Sequence, residues 1–129
     1  MIQFEKIHHI AIICSDYPKS KRFYNEILGL SIIAETYRAE SLSYKLDLAV
    51  GEFDRVELFS FPDPPERVSQ PEAAGLRHLA FAVKDIESSV SYLESHSIPV
   101  EPIRIDQLTG KKFTFFEDPD QLPLELYEV

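Results

Sequence analysis

Apolar positions along the chain fall into strand-like and helix-like runs, and the same order of runs occurs twice. Residues 7–14 are short, mostly apolar and rich in isoleucine, which predicts a buried strand. Asp16 suits a helix N-cap and Pro18 the first helical turn. Phe23, Tyr24, Ile27 and Leu28 then form one apolar stripe at helical spacing, and Gly29 offers the left-handed residue that ends a helix. Residues 30–38, 44–50 and 56–61 predict three strands, with a turn at 51–54. Pro62-Asp63-Pro64-Pro65 closes this module, and a polar, proline-rich stretch follows. The second module repeats the order. Residues 77–83 predict a strand, Asp85 a cap, and Ile86, Val90 and Leu93 a helix. Residues 100–105, 112–116 and 122–129 predict strands, with Gly110 and Asp118-Pro119-Asp120 at the turns. The expected fold is α+β: two βαβββ modules in tandem (4–61 and 77–129, linker 62–76) within one domain spanning 1–129. One helix cannot cover both faces of each sheet. The modules are therefore expected to pack together as a curled, partly open mixed sheet with a concave surface.

The repeat carries chemistry as well as hydrophobicity. His9-Ile10-Ala11 returns 69 residues later as His78-Leu79-Ala80, and Asp16 returns as Asp85. Val56-Glu57-Leu58-Phe59 returns as Leu124-Glu125-Leu126-Tyr127. Side chains alternate across a strand, so His9, Ala11 and Ile13 share a face opposite Ile10 and Ile12. His78, Ala80 and Ala82 do the same opposite Leu79 and Phe81. Alanine beside each histidine leaves room for a ligand. A carboxylate among apolar strand residues costs several kcal/mol unless something pairs it. A single strand histidine is more often structural than a ligand, and a single strand glutamate is usually solvated. Two of each at repeat-equivalent places point instead to a divalent cation held by His9, Glu57, His78 and Glu125. Two nitrogen and two oxygen donors suit Zn, Ni, Co or Mn. His8 does not align with His78 and is set aside. His96, at the end of the second predicted helix, reads as a helix-dipole partner.

Composition narrows the function classes. The 129 residues carry a net charge of −9, which argues against a nucleic-acid surface. No apolar run approaches a membrane span and no signal-peptide pattern opens the chain. The single cysteine, Cys14, allows no internal disulfide and fits a cytoplasmic location as a buried small hydrophobe.

The residues resemble those of the vicinal oxygen chelate superfamily, which includes glyoxalase I. The resemblance lies in His9-Ile10-Ala11, the Asp16 cap with Phe23-Tyr24 and Leu28-Gly29-Leu30, Val56-Glu57-Leu58-Phe59, His78-Leu79-Ala80-Phe81 with Asp85, and Asp118-Pro119-Asp120 before Leu124-Glu125-Leu126. The run Glu57-Leu58-Phe59-Ser60-Phe61-Pro62, followed by Pro64-Pro65-Glu66-Arg67, is similar to small bacterial glyoxalase-like proteins. Gln121 stands where the family commonly has glycine. A His-Glu-His-Glu set resembles those of glyoxalase I (lactoylglutathione lyase) and methylmalonyl-CoA epimerase. It differs from the three-ligand dioxygenases and fosfomycin-type transferases, and from the ligand-free bleomycin-binding relatives. The resemblance implies a metal-dependent lyase or isomerase that moves a proton next to a metal-bound carbonyl. Glu125 is the first choice of base and Glu57 the second. The alternatives are a metal-dependent epimerase on another substrate and a non-catalytic small-molecule-binding protein. The expected partner is a small carbonyl compound, a glutathione adduct among the candidates. Arg38, Arg77, Lys111 and Lys112 are available for its charged ends, though basic residues at strand ends are usually just solvated. Tyr37, Tyr44, Phe113 and Phe115 read as core or pocket wall. The relatives' habit implies a homodimer, with the site formed within one chain or across two.

Overall fold

A computed structural model describes all of residues 1–129. The chain divides into two compact units, Met1–Pro65 and Glu66–Val129. Each is built on a four-stranded mixed sheet with few helical turns, the α+β arrangement of tandem modules expected from the sequence.

In the first unit the strands are β1 (Ile10–Cys14), β2 (Ser31–Arg38), β3 (Ser43–Val50) and β4 (Asp54–Ser60). Their order is β1-β4-β3-β2, with β1 and β4 parallel and the other pairs antiparallel. A parallel neighbour requires a crossover, and the helical segment and two further strands between β1 and β4 supply it. One face of the sheet is the core. Ile12, Cys14, Leu46, Leu48, Val56 and Leu58 are buried there, with Phe23 and Tyr24 of the helical segment.

That segment begins as α1 (Tyr17–Lys21), capped by Asp16, whose side chain accepts from the Lys19 amide at 3.2 Å. It does not continue as the α-helix predicted to Leu28. Arg22–Ile27 is a π-helical turn, closed by the Leu28 amide donating to the Phe23 carbonyl at 2.9 Å. The wider turn brings two adjacent aromatics, Phe23 and Tyr24, into the core together, which regular helical spacing does less well. Gly29, at φ +76°, ends the segment.

The second unit contains β5 (Leu79–Val83), α2 (Ile86–Ser95), β6 (Arg104–Ile105), β7 (Lys112–Glu117) and β8 (Pro123–Glu128). Its sheet runs β5-β8-β7-β6, again with only the β5–β8 pair parallel. The N-terminus of α2 is capped twice: Asp85 accepts from the Ser88 amide at 3.0 Å, and Glu128 of β8 from the Ile86 amide at 3.0 Å. Ile86, Leu93, Leu124, Leu126 and Phe116 are buried on the helix side. His96 is the C-cap of α2, its Nδ1 2.9 Å from the Tyr92 carbonyl.

Three expected strands are shorter than the hydrophobic pattern suggested. β1 starts at Ile10 and β5 at Leu79, because the parallel ladders begin at Ile10–Val56 and Leu79–Leu124. His9 and His78 therefore stand one residue ahead of their strands. The predicted strand 100–105 shrinks to Arg104–Ile105. Pro99 and Pro102 cannot donate to a ladder, so the approach is held by the Glu101 amide on the Phe115 carbonyl and by Thr114 Oγ1 on the Glu101 carbonyl.

Gln121 takes the left-handed conformation at φ +62°, which explains glycine's usefulness there. The turn is tied by buried Asp118, whose Oδ1 accepts from the amides of Asp120 at 2.8 Å and Leu122 at 2.9 Å. No helix is long and apolar enough to cross a membrane.

Two predictions concern stability. Asp118→Ala strands two turn amides, the buried one of Leu122 and the part-buried one of Asp120, and should cost about 2 kcal/mol in urea unfolding. Glu35 receives hydrogen bonds from Lys21 Nζ at 2.7 Å and from Tyr17 Oη, and these donors hold its carboxyl below the usual value of 4.5. Its contribution is complete above pH 4.5 and is lost as pH falls through the lower folded value. Glu35→Gln should thus lower the melting temperature near neutral pH, and the gap from the parent protein should close on acidification.

Candidate metal centre

The strand register places each glutamate. In the first unit Glu57 lies on central strand β4, directly across the parallel ladder from Ala11. His9, two residues before Ala11, falls on the same face. Alanine puts no bulk between them, and His9 Nδ1 lies 3.5 Å from Glu57 Oε2. Glu57 is 5% exposed, so its charge is largely removed from water. In the second unit Glu125 lies on central strand β8 across from Ala80, and His78 Nε2 is 3.0 Å from Glu125 Oε2. The four residues singled out in the sequence thus form two imidazole–carboxylate pairs, one on each sheet.

The surroundings of the pairs differ. Beside the first, His8 Nδ1 is 2.9 Å from His9 Nδ1, and ligand atoms of His8, His9 and Glu57 lie within 4.8 Å of one another. Donors held by one cation at roughly 2.1 Å are at most about 4.2 Å apart, so a small closing movement would bring all three to a common ion. His8, set aside on alignment, is therefore a further donor in reach. Across the antiparallel β3–β4 ladder, Asp47 faces Glu57 and Lys45 faces Phe59. Lys45 Nζ lies 3.7 Å from Glu57 Oε1 and 3.6 Å from Asp47 Oδ1. Nothing in the repeat pointed to Lys45 or Asp47, because their counterparts in the second unit are of another kind.

Those counterparts are aromatic. Phe115 faces Glu125 and Phe113 faces Tyr127 on the β7–β8 ladder. The Phe115 ring meets His78 edge-on at 5.1 Å, and the Arg104 guanidinium lies over Phe113 and Phe115 at 5.0 and 5.7 Å. A cavity of about 780 Å³ opens here, with His78, Arg77, Arg104 and Phe115 in its wall. Arg77 is paired with Glu72 at 3.0 Å, which raises the guanidinium's pKa and holds the Glu72 carboxyl below its usual range. Arg77 Nη1 also lies 3.2 Å from His78 Nδ1. A guanidinium only donates, so Nδ1 accepts, and in the neutral ring the hydrogen sits on Nε2, towards Glu125. Farther along the Glu125 face, the Tyr127 hydroxyl bonds Asp106 Oδ2 at 2.9 Å and Thr109 Oγ1. The Leu108 amide and then Tyr127 hold the Asp106 carboxyl below its usual range.

The other sequence candidates have settled roles. Arg38 lies over Phe59 at 4.9 Å and donates to Ser43 Oγ at 3.1 Å. Lys112 pairs with Glu87. Tyr44 stacks on Tyr17 at 4.5 Å and lies against Tyr37 at 4.8 Å. Lys111 is exposed, and its amide donates to Thr109 Oγ1 at 3.2 Å.

The comparisons with known proteins agree with this architecture. The chain is 64% identical over 124 residues to the uncharacterized protein YwkD of Bacillus subtilis (strain 168), covering 96% of this chain and 97% of that protein. It is 57% identical over 128 residues to the uncharacterized protein YaeR of Escherichia coli (strain K12), covering 99% of both. The crystal structure of the glyoxalase family protein from Enterococcus faecalis matches at a TM-score of 0.90 and 50% identity, covering 97% of this chain and 98% of that one. Two more distant structures share the fold. One is the trypanothione-dependent glyoxalase I of Leishmania major, with a TM-score of 0.74 at 23% identity over 97% of this chain and 87% of that one. The other is a variant of the fosfomycin resistance protein FosX of Listeria monocytogenes complexed with Mn(II), with a TM-score of 0.75 at 18% identity over 98% of this chain and 94% of that one. With residues 6–126 matching the family's sequence profile, the chain belongs to the Glyoxalase/Bleomycin resistance protein/Dioxygenase superfamily.

Proposed function

We propose that the protein is a metal-dependent lyase or isomerase of glyoxalase type, acting next to the carbonyl of a small substrate. One observation carries the reading: each unit sets one imidazole against one carboxylate on one face of its sheet, with alanine between them. The donor set is what a divalent cation of the Zn, Ni, Co or Mn kind takes, and His9, Glu57, His78 and Glu125 would hold it. The metal-bearing FosX relative supports a cation in this fold. Such an ion supplies Lewis acidity, which polarises a carbonyl oxygen and eases loss of a proton from the adjacent carbon.

The chain's own residues divide the remaining work. Glu125 accepts that proton and returns it to the neighbouring carbon, a task that needs a carboxylate able to reach substrate. Its side chain is 13% exposed, against 6% for Glu57, and Glu57 also has Lys45 beside it. His9 and His78 hold position. Phe115 and the Arg104 stacked on it form part of the cavity wall at His78. A cytoplasmic location belongs to the same reading, in keeping with a single cysteine that is buried. A homodimer also belongs to it, supported by β1 being an edge strand that carries exposed Ile13 and is preceded by exposed Ile7. Light scattering should give twice the chain mass, and a monomer at all concentrations tested would remove that part.

The decisive experiment combines metal content, stability and turnover. The purified protein should bind one divalent ion, and a free-ion concentration 100 times Kd should add about 2.7 kcal/mol to unfolding. It should convert the hemithioacetal of methylglyoxal and glutathione, with Glu125→Gln slower by about 10²–10⁴-fold. Bound metal without turnover of any hemithioacetal, but with turnover of an acyl-CoA thioester, would replace the lyase by an epimerase. Failure to bind metal, with no stability change on adding chelator, would leave a non-catalytic binding protein.

A further inference from the structure

The surroundings of Glu57 contain a cation of the protein's own. Lys45 and Asp47 stand two residues apart on β3, on the face that carries Glu57. Lys45 Nζ sits between two carboxylates, 3.6 Å from Asp47 Oδ1 and 3.7 Å from Glu57 Oε1, at hydrogen-bonding distance from neither. Asp47 Oδ1 is buried and receives no hydrogen bond. A buried carboxylate oxygen in that state draws any ammonium group in reach. Glu57 is shared too, with Oε2 towards His9 and Oε1 towards Lys45. The arrangement exists in the first unit alone, since Glu125 and Tyr127 face the neutral rings of Phe115 and Phe113.

We infer that Lys45 is an internal competitor for Glu57, and that Asp47 is the site to which its ammonium group withdraws when a divalent cation is bound. The inference rests on the proposal that Glu57 is a metal ligand. Before loading, Lys45 offsets the charge of a carboxylate that is otherwise buried beside an imidazole. On loading, an ammonium group next to a ligand oxygen repels the incoming ion. A move of about 1 Å towards Asp47, enough to form a normal hydrogen bond, relieves the repulsion and satisfies Oδ1. Lys45 is thus a positioning residue that sets how tightly the first unit grips its ion.

The test uses the full chain and Zn(II) and Mn(II) as probes, with affinity measured by calorimetry and chelator competition and folding checked by circular dichroism. Lys45→Met should tighten binding at least about tenfold, the size of a unit charge repelling a divalent ion ~6 Å away even in bulk water. Lys45→Gln serves if the methionine variant misfolds. Lys45→Arg should keep the parent affinity. Asp47→Asn should weaken binding, and by more when Lys45 is present than in the Lys45→Met background, because only then does the ammonium group lose its alternative partner. Unchanged or weaker binding in Lys45→Met overturns the inference, as does an equal Asp47→Asn loss in both backgrounds. A parent protein that binds neither ion overturns the metal reading itself, which separates the two failures.

Discussion

The site depends on one constraint, the parallel pairing of an edge strand with the glutamate-bearing central strand. A parallel ladder fixes register over every residue it spans. In both units it sets alanine across from glutamate and leaves histidine just ahead of the first rung. A shift by one residue would turn the carboxylate to the helix side, among Ile12 and Leu48 in one unit or Leu79 and Phe116 in the other, at the cost of burying an unpaired charge. The apolar core on one face therefore enforces the chemistry on the other. Ile12, Cys14 and Leu58 hold the first register, and Leu79, Leu124 and Leu126 the second.

The same backbone frame carries different neighbours. Across from the glutamate the first sheet has an aspartate, with a lysine two residues away, and the second has two phenylalanines under an arginine. A charged surround stabilises or repels an ion directly and is sensitive to each added or removed charge. An aromatic surround does neither strongly. It packs edge-on against the imidazole and borders a cavity. The repeat thus supplies the same imidazole–carboxylate pair twice, while divergence surrounds one pair with charged side chains and the other with aromatic ones.

Much of this was legible in the sequence where local signals and the repeat agreed. Asp16 and Asp85 cap their helical segments, Gly29 ends the first, and both sheets have the expected mixed character. The failures have particular causes. Helical spacing cannot register a π-turn, because Phe23, Tyr24, Ile27 and Leu28 satisfy both patterns. Alternating hydrophobicity ran past the ladder at Ile7 and at Val100, where strand partners or amide donors are missing. His8 was set aside because alignment weighs correspondence rather than distance, and its ring lies beside that of His9. Lys45, Asp47 and Arg104 were invisible to the repeat because they are what the halves do not share.

Tautomer control adds a last difference between the imidazoles. Arg77 donates to His78 Nδ1 and so directs the Nε2 hydrogen at Glu125. An ion bound through Nε2 requires the opposite arrangement, with the hydrogen on Nδ1, where Arg77 can no longer donate. Arg77 already has Glu72 to turn to, through two hydrogen bonds at 3.0 and 3.3 Å. In the first unit His9 Nδ1 faces another imidazole nitrogen, which can give or take the hydrogen. The second pair must therefore turn a cationic donor away from its imidazole to accept a metal through Nε2, whereas in the first the cation to be displaced, Lys45, lies beside the carboxylate. In both units a basic side chain beside the pair has a second carboxylate at hand: Lys45 has Asp47, and Arg77 has Glu72.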